Sequence, residues 1–112
     1  NKMRSRTFTE GSTIIQQDTK GGSMFLIARG VVRVSREDDG IPRDLATLMA
    51  GEFFGEMALL HGEPRTATVR AITPSSLYEL RRDDLDEVIE KYPDMQAALH
   101  QASEERKAQM AR

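Results

Sequence analysis

Between Arg4 and Leu80 the apolar residues arrive in short runs, each broken by a turn signal, a pattern of many short strands and not of long amphipathic helices. Phe8 leads into a turn at Glu10-Gly11, and Ile14-Ile15 open the next strand. The polar, glycine-rich stretch Thr19-Lys20-Gly21-Gly22-Ser23 precedes a strand over 24–28. Arg29-Gly30 reads as a tight hairpin connection into a strand over 31–36, where Val32 and Val34 share one face and Arg33 and Ser35 take the wet one. Glu37-Asp38-Asp39-Gly40 is a solvent turn, followed by a strand over 43–49 with Leu45 and Thr47 opposite Ala46 and Leu48. A further strand is predicted over 65–71, and Pro74 marks the turn into another over 76–80. There Leu77 and Leu80 fall out of phase, as at a bulge or a strand end. Strands at this spacing predict a mainly β, jelly-roll-like roll over about 7–80.

The period changes after Leu80. Asp83 or Asp84 can cap a helix in which Leu85, Val88, Ile89 and Tyr92 recur at three- and four-residue intervals, and Tyr92-Pro93 should end it. A second helix carries the stripe Met95, Ala98, Leu99 and Ala102, while Glu104-Glu105-Arg106-Lys107 reads as a solvated face. With its apolar stripe ending near Ala102, the distal part of that helix needs a partner or it frays.

The 112 residues fit one domain, 1–112, with the helices over about 83–110. Sixteen Lys and Arg against 18 Asp and Glu give a formal charge of -2, without the basic excess of a nucleic-acid binder. Zero cysteines remove disulfides, thiolate nucleophiles and Cys-ligated metals, and His61 and His100 lack metal-motif spacing. His61, beside Gly62, is expected to be a solvent turn residue. No apolar run approaches the roughly 20 residues that span a bilayer.

Gly51-Glu52-Phe53-Phe54-Gly55-Glu56-Met57-Ala58-Leu59-Leu60 is unlike a simple strand, with two glycines framing an aromatic pair and a carboxylate opening a single helical turn over 56–60. Such a turn leaves its first backbone N–H groups unpaired, so an anion can sit there, and Gly55 and Ala58 let it approach closely. Arg65 supplies a planar fork for two phosphate oxygens, and Glu56 accepts hydrogen bonds from hydroxyls, together the complement of a phosphorylated sugar. The plain alternative is a connecting loop in which Arg65 and Glu56 neutralise each other.

The string Phe54-Gly55-Glu56-Met57-Ala58-Leu59, a short turn, and Arg65-Thr66-Ala67-Thr68-Val69 strongly resembles the phosphate-binding cassette of cyclic-nucleotide-binding domains. Gly21-Gly22-Ser23-Met24-Phe25-Leu26-Ile27 and Gly30-Val31-Val32-Arg33-Val34 resemble the family's preceding segments, and the resemblance runs from about Phe8 to Tyr92. It implies a β-roll with a short cassette helix and carboxy-terminal helices that move when cyclic AMP or cyclic GMP binds. Carried over, Glu56 would take the ribose 2′-hydroxyl and Arg65 the cyclic phosphate, with Gly55, Met57, Ala58 and Ala67 around the cradle. Thr66 would donate its hydroxyl to phosphate or accept from a guanine amino group. Arg106 is a candidate contact to the base if the last helix acts as a lid. The Tyr92-Pro93-Asp94-Met95 junction looks most like that of cyclic-nucleotide-gated channels and bacterial relatives. The implied role is therefore a non-catalytic sensor, cyclic AMP favoured, in the cytoplasmic part of a larger channel or transporter, with assembly into oligomers through that parent. Family members usually carry a helical segment before the first strand, so the few residues ahead of Phe8 suggest an excised domain.

Two other readings compete. Glu56 and Glu63 would be the acid-base pair of a phosphodiesterase, with Arg65 as clamp, but no metal cluster or nucleophile accompanies them. A roll that keeps the motif yet serves as a ligand-free interaction module is the alternative within the same fold.

Overall fold

The structure, a computed structural model, describes residues 4–110. In chain order the elements are β1 (Arg4–Phe8), β2 (Thr13–Ile15), β3 (Ser23–Arg29), β4 (Val31–Asp38), β5 (Ile41–Met49), β6 (Phe53–Phe54), α1 (Glu56–His61), β7 (Thr68–Ala71), β8 (Ser75–Arg81), α2 (Arg82–Lys91) and α3 (Asp94–Met110). The strands form two antiparallel four-stranded sheets, ordered β1-β8-β3-β6 and β2-β7-β4-β5. This is the mainly β roll with a short helix and carboxy-terminal helices that the pattern predicts.

Period-2 alternation supplies the core. Val32 and Val34 point inward while Arg33 is exposed, and they join Val69 of the neighbouring β7 and Phe25, Ile27 and Leu77 of the facing sheet in one core. Phe54 stacks on Phe25 with ring centroids 5.3 Å apart, fixing β6 and hence the start of α1 against the roll.

A second cluster joins the roll to the helices. Met24 and Leu80 meet Leu59 of α1, Leu85 of α2 and Leu99 of α3. The phase break at Leu77 and Leu80 has its explanation here: the end of β8 is covered on both sides, so Leu77 enters the roll and Leu80 the helical cluster, while Tyr78 between them stays exposed. The register irregularity lies in β3 instead, between Ile27 and Arg29.

Several boundaries differ from expectation. Arg29-Gly30 is not a hairpin, because β3 and β4 belong to different sheets and the chain turns a corner there. The strand expected from 65 begins only at Thr68, since the Arg65 backbone pairs with the 16–19 loop: its N–H donates to the Thr19 carbonyl (2.7 Å) and its carbonyl accepts from the Asp18 N–H (2.8 Å). α2 starts at Arg82, ahead of Asp83 and Asp84; Asp84 instead reaches back to accept from the Arg81 N–H (3.1 Å) and from Arg4 (2.9 Å). In α3, Ala98 is exposed, and the inward face is Leu99, Ala102, Ser103 and Arg106; the side chains of Met95 and Lys107 lie outside the described residues.

Candidate functional site

Local sequence places the two charged side chains first. Gly55 caps α1 at φ +83°, and a Cβ there would stand 3.0 Å from an Arg65 Nη1 and 3.3 Å from the Ser23 carbonyl oxygen. Both the left-handed backbone and the lack of space require glycine. Gly21 is required for space alone, since its Cβ would fall 2.7 Å from the Arg65 guanidinium carbon. Arg65 is thus seated between two glycines, its backbone pinned to the 16–19 loop and its Nη1 donating to the Gly55 carbonyl (3.0 Å).

A cavity of about 460 Å³ opens over this seat. Gly55, Glu56, Met57, Ala58, Arg65, Thr66 and Ala67, the residues singled out by sequence, all line it. Val34, Leu45 and Leu48 form an apolar wall, and Ala102, Glu105 and Arg106 of α3 close the other side. A mostly apolar cleft of this size with a few convergent charges has the dimensions of a small-molecule site.

Arg65 is 7% exposed, and burial pulls its guanidinium below its ordinary pKa, opposed by the charges of Glu79 and, less strongly, Glu56. An arginine remains protonated in this setting, so the structure holds a buried cation beside an open cavity. Glu56, 1% exposed, forms its ion pair elsewhere than with Arg65. It accepts instead from Nη1 of Arg106 on α3. Arg106 also donates through Nη2 to the Phe53 carbonyl (2.6 Å), and its guanidinium lies over the Phe53 ring, 4.7 Å from the centroid. The run expected to be a solvated face therefore carries one of the anchors of α3.

His61 is the last residue of α1 and not a solvent turn residue. Its Nε2 lies 3.1 Å from the Oγ of the fully buried Ser103, and its ring meets His100 edge-on at 5.9 Å. The sequence reading missed Ser103 because a serine adds nothing to an apolar stripe. It also missed Glu79, although the alternation Ser75, Leu77, Glu79 puts that carboxylate on the inward phase of β8.

Glu63 lies past the end of α1, exposed, while Glu56 opens it, buried. The two carboxylates occupy opposite ends of the helix and do not converge on one reacting atom. Among the described residues no group of three or more His, Cys, Asp or Glu is arranged to hold a metal ion, and no helix is long and apolar enough to cross a membrane.

Comparison with known proteins shows the family of the chain. Potassium/sodium hyperpolarization-activated cyclic nucleotide-gated channel 4 of Oryctolagus cuniculus is 40% identical over 97 residues, 87% of this chain and 8% of that protein. The cyclic nucleotide-gated cation channel of Ictalurus punctatus is 36% identical over 110 residues, 93% of this chain and 16% of that protein. The chain therefore spans a small part of the curated relatives it matches. The crystal structure of Thermus thermophilus catabolite activator protein superposes with a TM-score of 0.86 at 33% identity, covering 97% of this chain and 53% of that one. Related regulatory modules of this kind are non-catalytic, which agrees with the geometry of Glu56 and Glu63. Residues 5–92 match the family described as Cyclic nucleotide-binding domain, and the chain belongs to that family.

Proposed function

We propose that the cavity takes a 3′,5′-cyclic nucleotide, cyclic AMP in preference to cyclic GMP, with its phosphate on Arg65 and its ribose 2′-hydroxyl on Glu56. The observation that carries this reading is the buried Arg65 guanidinium, seated between Gly21 and Gly55 at the floor of a cavity whose wall at Val34, Leu45 and Leu48 is apolar enough for a purine. A singly charged cyclic phosphate compensates the desolvated cation, and charge-assisted bonds from a planar fork are the strong, directional kind. Gly55, Met57, Ala58 and Ala67 pack around the sugar-phosphate, and Thr66, half-buried beside Arg65, donates its hydroxyl to phosphate. With phosphate as its acceptor, Thr66 does not select guanine, and the channel-like Tyr92-Pro93-Asp94-Met95 junction is what favours cyclic AMP.

Glu105 supports a second reading. Glu105 lines the cavity, its Oε1 accepting from Gln101 Nε2 at 3.4 Å, and a carboxylate at this place takes both N1–H and N2–H of guanine. Cyclic GMP binding at least tenfold tighter than cyclic AMP, about 1.4 kcal/mol, would select it.

Arg106 gives the domain its output. Because it links α3 to Glu56 and Phe53, a ligand that recruits Glu56 changes how α3 is held, and a ligand shifts such an equilibrium only through its different affinity for the two positions. In the larger protein this motion would act on a membrane channel or transporter, from a cytoplasmic position and in an oligomer. Isothermal titration with cyclic AMP and cyclic GMP tests the reading. A one-to-one isotherm without conversion to the linear monophosphate is expected. No heat with either nucleotide would leave the roll a ligand-free interaction module, and turnover proportional to protein would make it an enzyme.

A further inference from the structure

A buried carboxylate on the far side of the Arg65 seat has no part in the ligand contacts described above. Glu79, in β8, is 9% exposed and points into the layer where β3 and β8 pair. Its Oε2 accepts from the Ser23 hydroxyl (2.9 Å), and its Oε1 accepts from Arg6 Nη1 of β1 (2.9 Å). Ser23 belongs to the segment that seats Arg65: Gly21 abuts the guanidinium, and the Ser23 carbonyl faces the same point at Gly55 that Arg65 Nη1 faces. Through Ser23 the carboxylate is tied to the segment against which the guanidinium lies.

Two features make its charge matter. Glu56, the other carboxylate near Arg65, is paired with an Arg106 that is only a quarter exposed, whereas the Arg6 paired with Glu79 is about half exposed, so solvent screens it and it offsets less of its partner's charge. Glu79 is the larger of the two electrostatic supports of the Arg65 cation. Buried charges of opposite sign interact with little screening, so a carboxylate held in place without touching the guanidinium still offsets part of its charge.

We propose that Glu79 is the resident counter-charge of Arg65, held there by Ser23 and Arg6, and that it tunes binding by weakening the pull of Arg65 on an incoming phosphate. This rests on the assignment of Arg65 to the phosphate. Its role is distinct from positioning: a residue that merely ordered Arg65 would weaken binding when removed, whereas a resident counter-charge strengthens binding when neutralised.

The test has one arm without ligand and one with it. In thermal or urea denaturation of the unliganded chain, Glu79→Gln, Arg65→Gln and the double variant form a cycle, in which the lost Arg6 contact cancels. Glu79→Gln is expected to destabilise the parent more than it destabilises Arg65→Gln. Should Arg65→Gln fail to fold, Arg65→Met closes the same cycle. In titration with cyclic AMP, Glu79→Gln is expected to bind roughly three- to tenfold more tightly than the parent, the scale of one buried charge acting at several ångströms. Additive stabilities, or unchanged or weaker binding by Glu79→Gln, would overturn the proposal. A coupled cycle in a parent chain that titrates with neither nucleotide would instead remove the binding assignment and leave Glu79 as the counter-charge of Arg65.

Discussion

Replacing Arg106 by alanine should undock α3 without unfolding the roll. Three side chains in successive turns hold that helix: Leu99 in the cluster with Met24, Leu59, Leu80 and Leu85, Ser103 against His61, and Arg106 on Glu56 and Phe53. Burial of a leucine contributes about 1.5–3 kcal/mol, and a neutral hydrogen bond about 0.5–1.5 kcal/mol. Removing one partner of a buried ion pair costs about 3–5 kcal/mol when the other charge stays buried. Here the orphaned Glu56 regains water if α3 swings away, and Arg106 is itself a quarter exposed, so the loss should be about 2–3 kcal/mol and appear as local opening. At about 1.4 kcal/mol per factor of ten, amides over 96–106 should exchange about 30 to 140 times faster. Hydrogen exchange resolved by residue reads this directly, with Ile27, Val32 and Leu77 as internal controls because they are fully buried in the roll. Unchanged exchange over 96–106 would refute the anchoring role of Arg106. Equal acceleration in the roll would show that α3 and the roll unfold as one unit, which also contradicts the reasoning.

Arg65→Ala should weaken cyclic AMP binding by about 2–5 kcal/mol in titration while circular dichroism shows a folded chain, because the charge-assisted bonds to phosphate have no neutral replacement. Glu56→Gln should erase most of the preference for the ribonucleotide over its 2′-deoxy analogue, measured as a ratio of dissociation constants. Acid should destabilise the parent through Glu79: burial alone would raise its carboxyl pKa, but the Ser23 and Arg6 hydrogen bonds and the charges of Arg6 and Arg81 outweigh it and hold it below its ordinary 4.5. A depressed folded-state value gives stability that is full above the unfolded value and lost as pH falls below about 4.5 and through the folded one, so urea denaturation should show that loss in the parent and a shallower one in Glu79→Gln.

The cassette was legible because its chemistry is local. Gly55, Glu56 and Arg65 lie within eleven positions, and a glycine with positive φ opening one helical turn is a property of the backbone at those residues. Alternation likewise reported Val32 and Val34 correctly, since the side chains of a strand alternate whatever it pairs with. Local pattern failed where a residue's partner lies far along the chain. Arg29-Gly30 has the composition of a hairpin, yet whether two strands pair or turn a corner depends on which other strands compete for their edges, and β8 and β7 claim them. Leu80 looked like a break in phase because one strand faces two cores. Ser103, Arg106 and Glu79 are polar, so hydrophobic periodicity passes over them; each is buried or half-buried only because His61, Glu56, or Ser23 and Arg6 arrive from another element to satisfy it. The sequence by itself determined the strands, the cassette and the two charged residues, Glu56 and Arg65, that line the cavity. Tertiary structure alone decided which charges those groups meet, because burying an ion is tolerable only beside a partner brought by the fold.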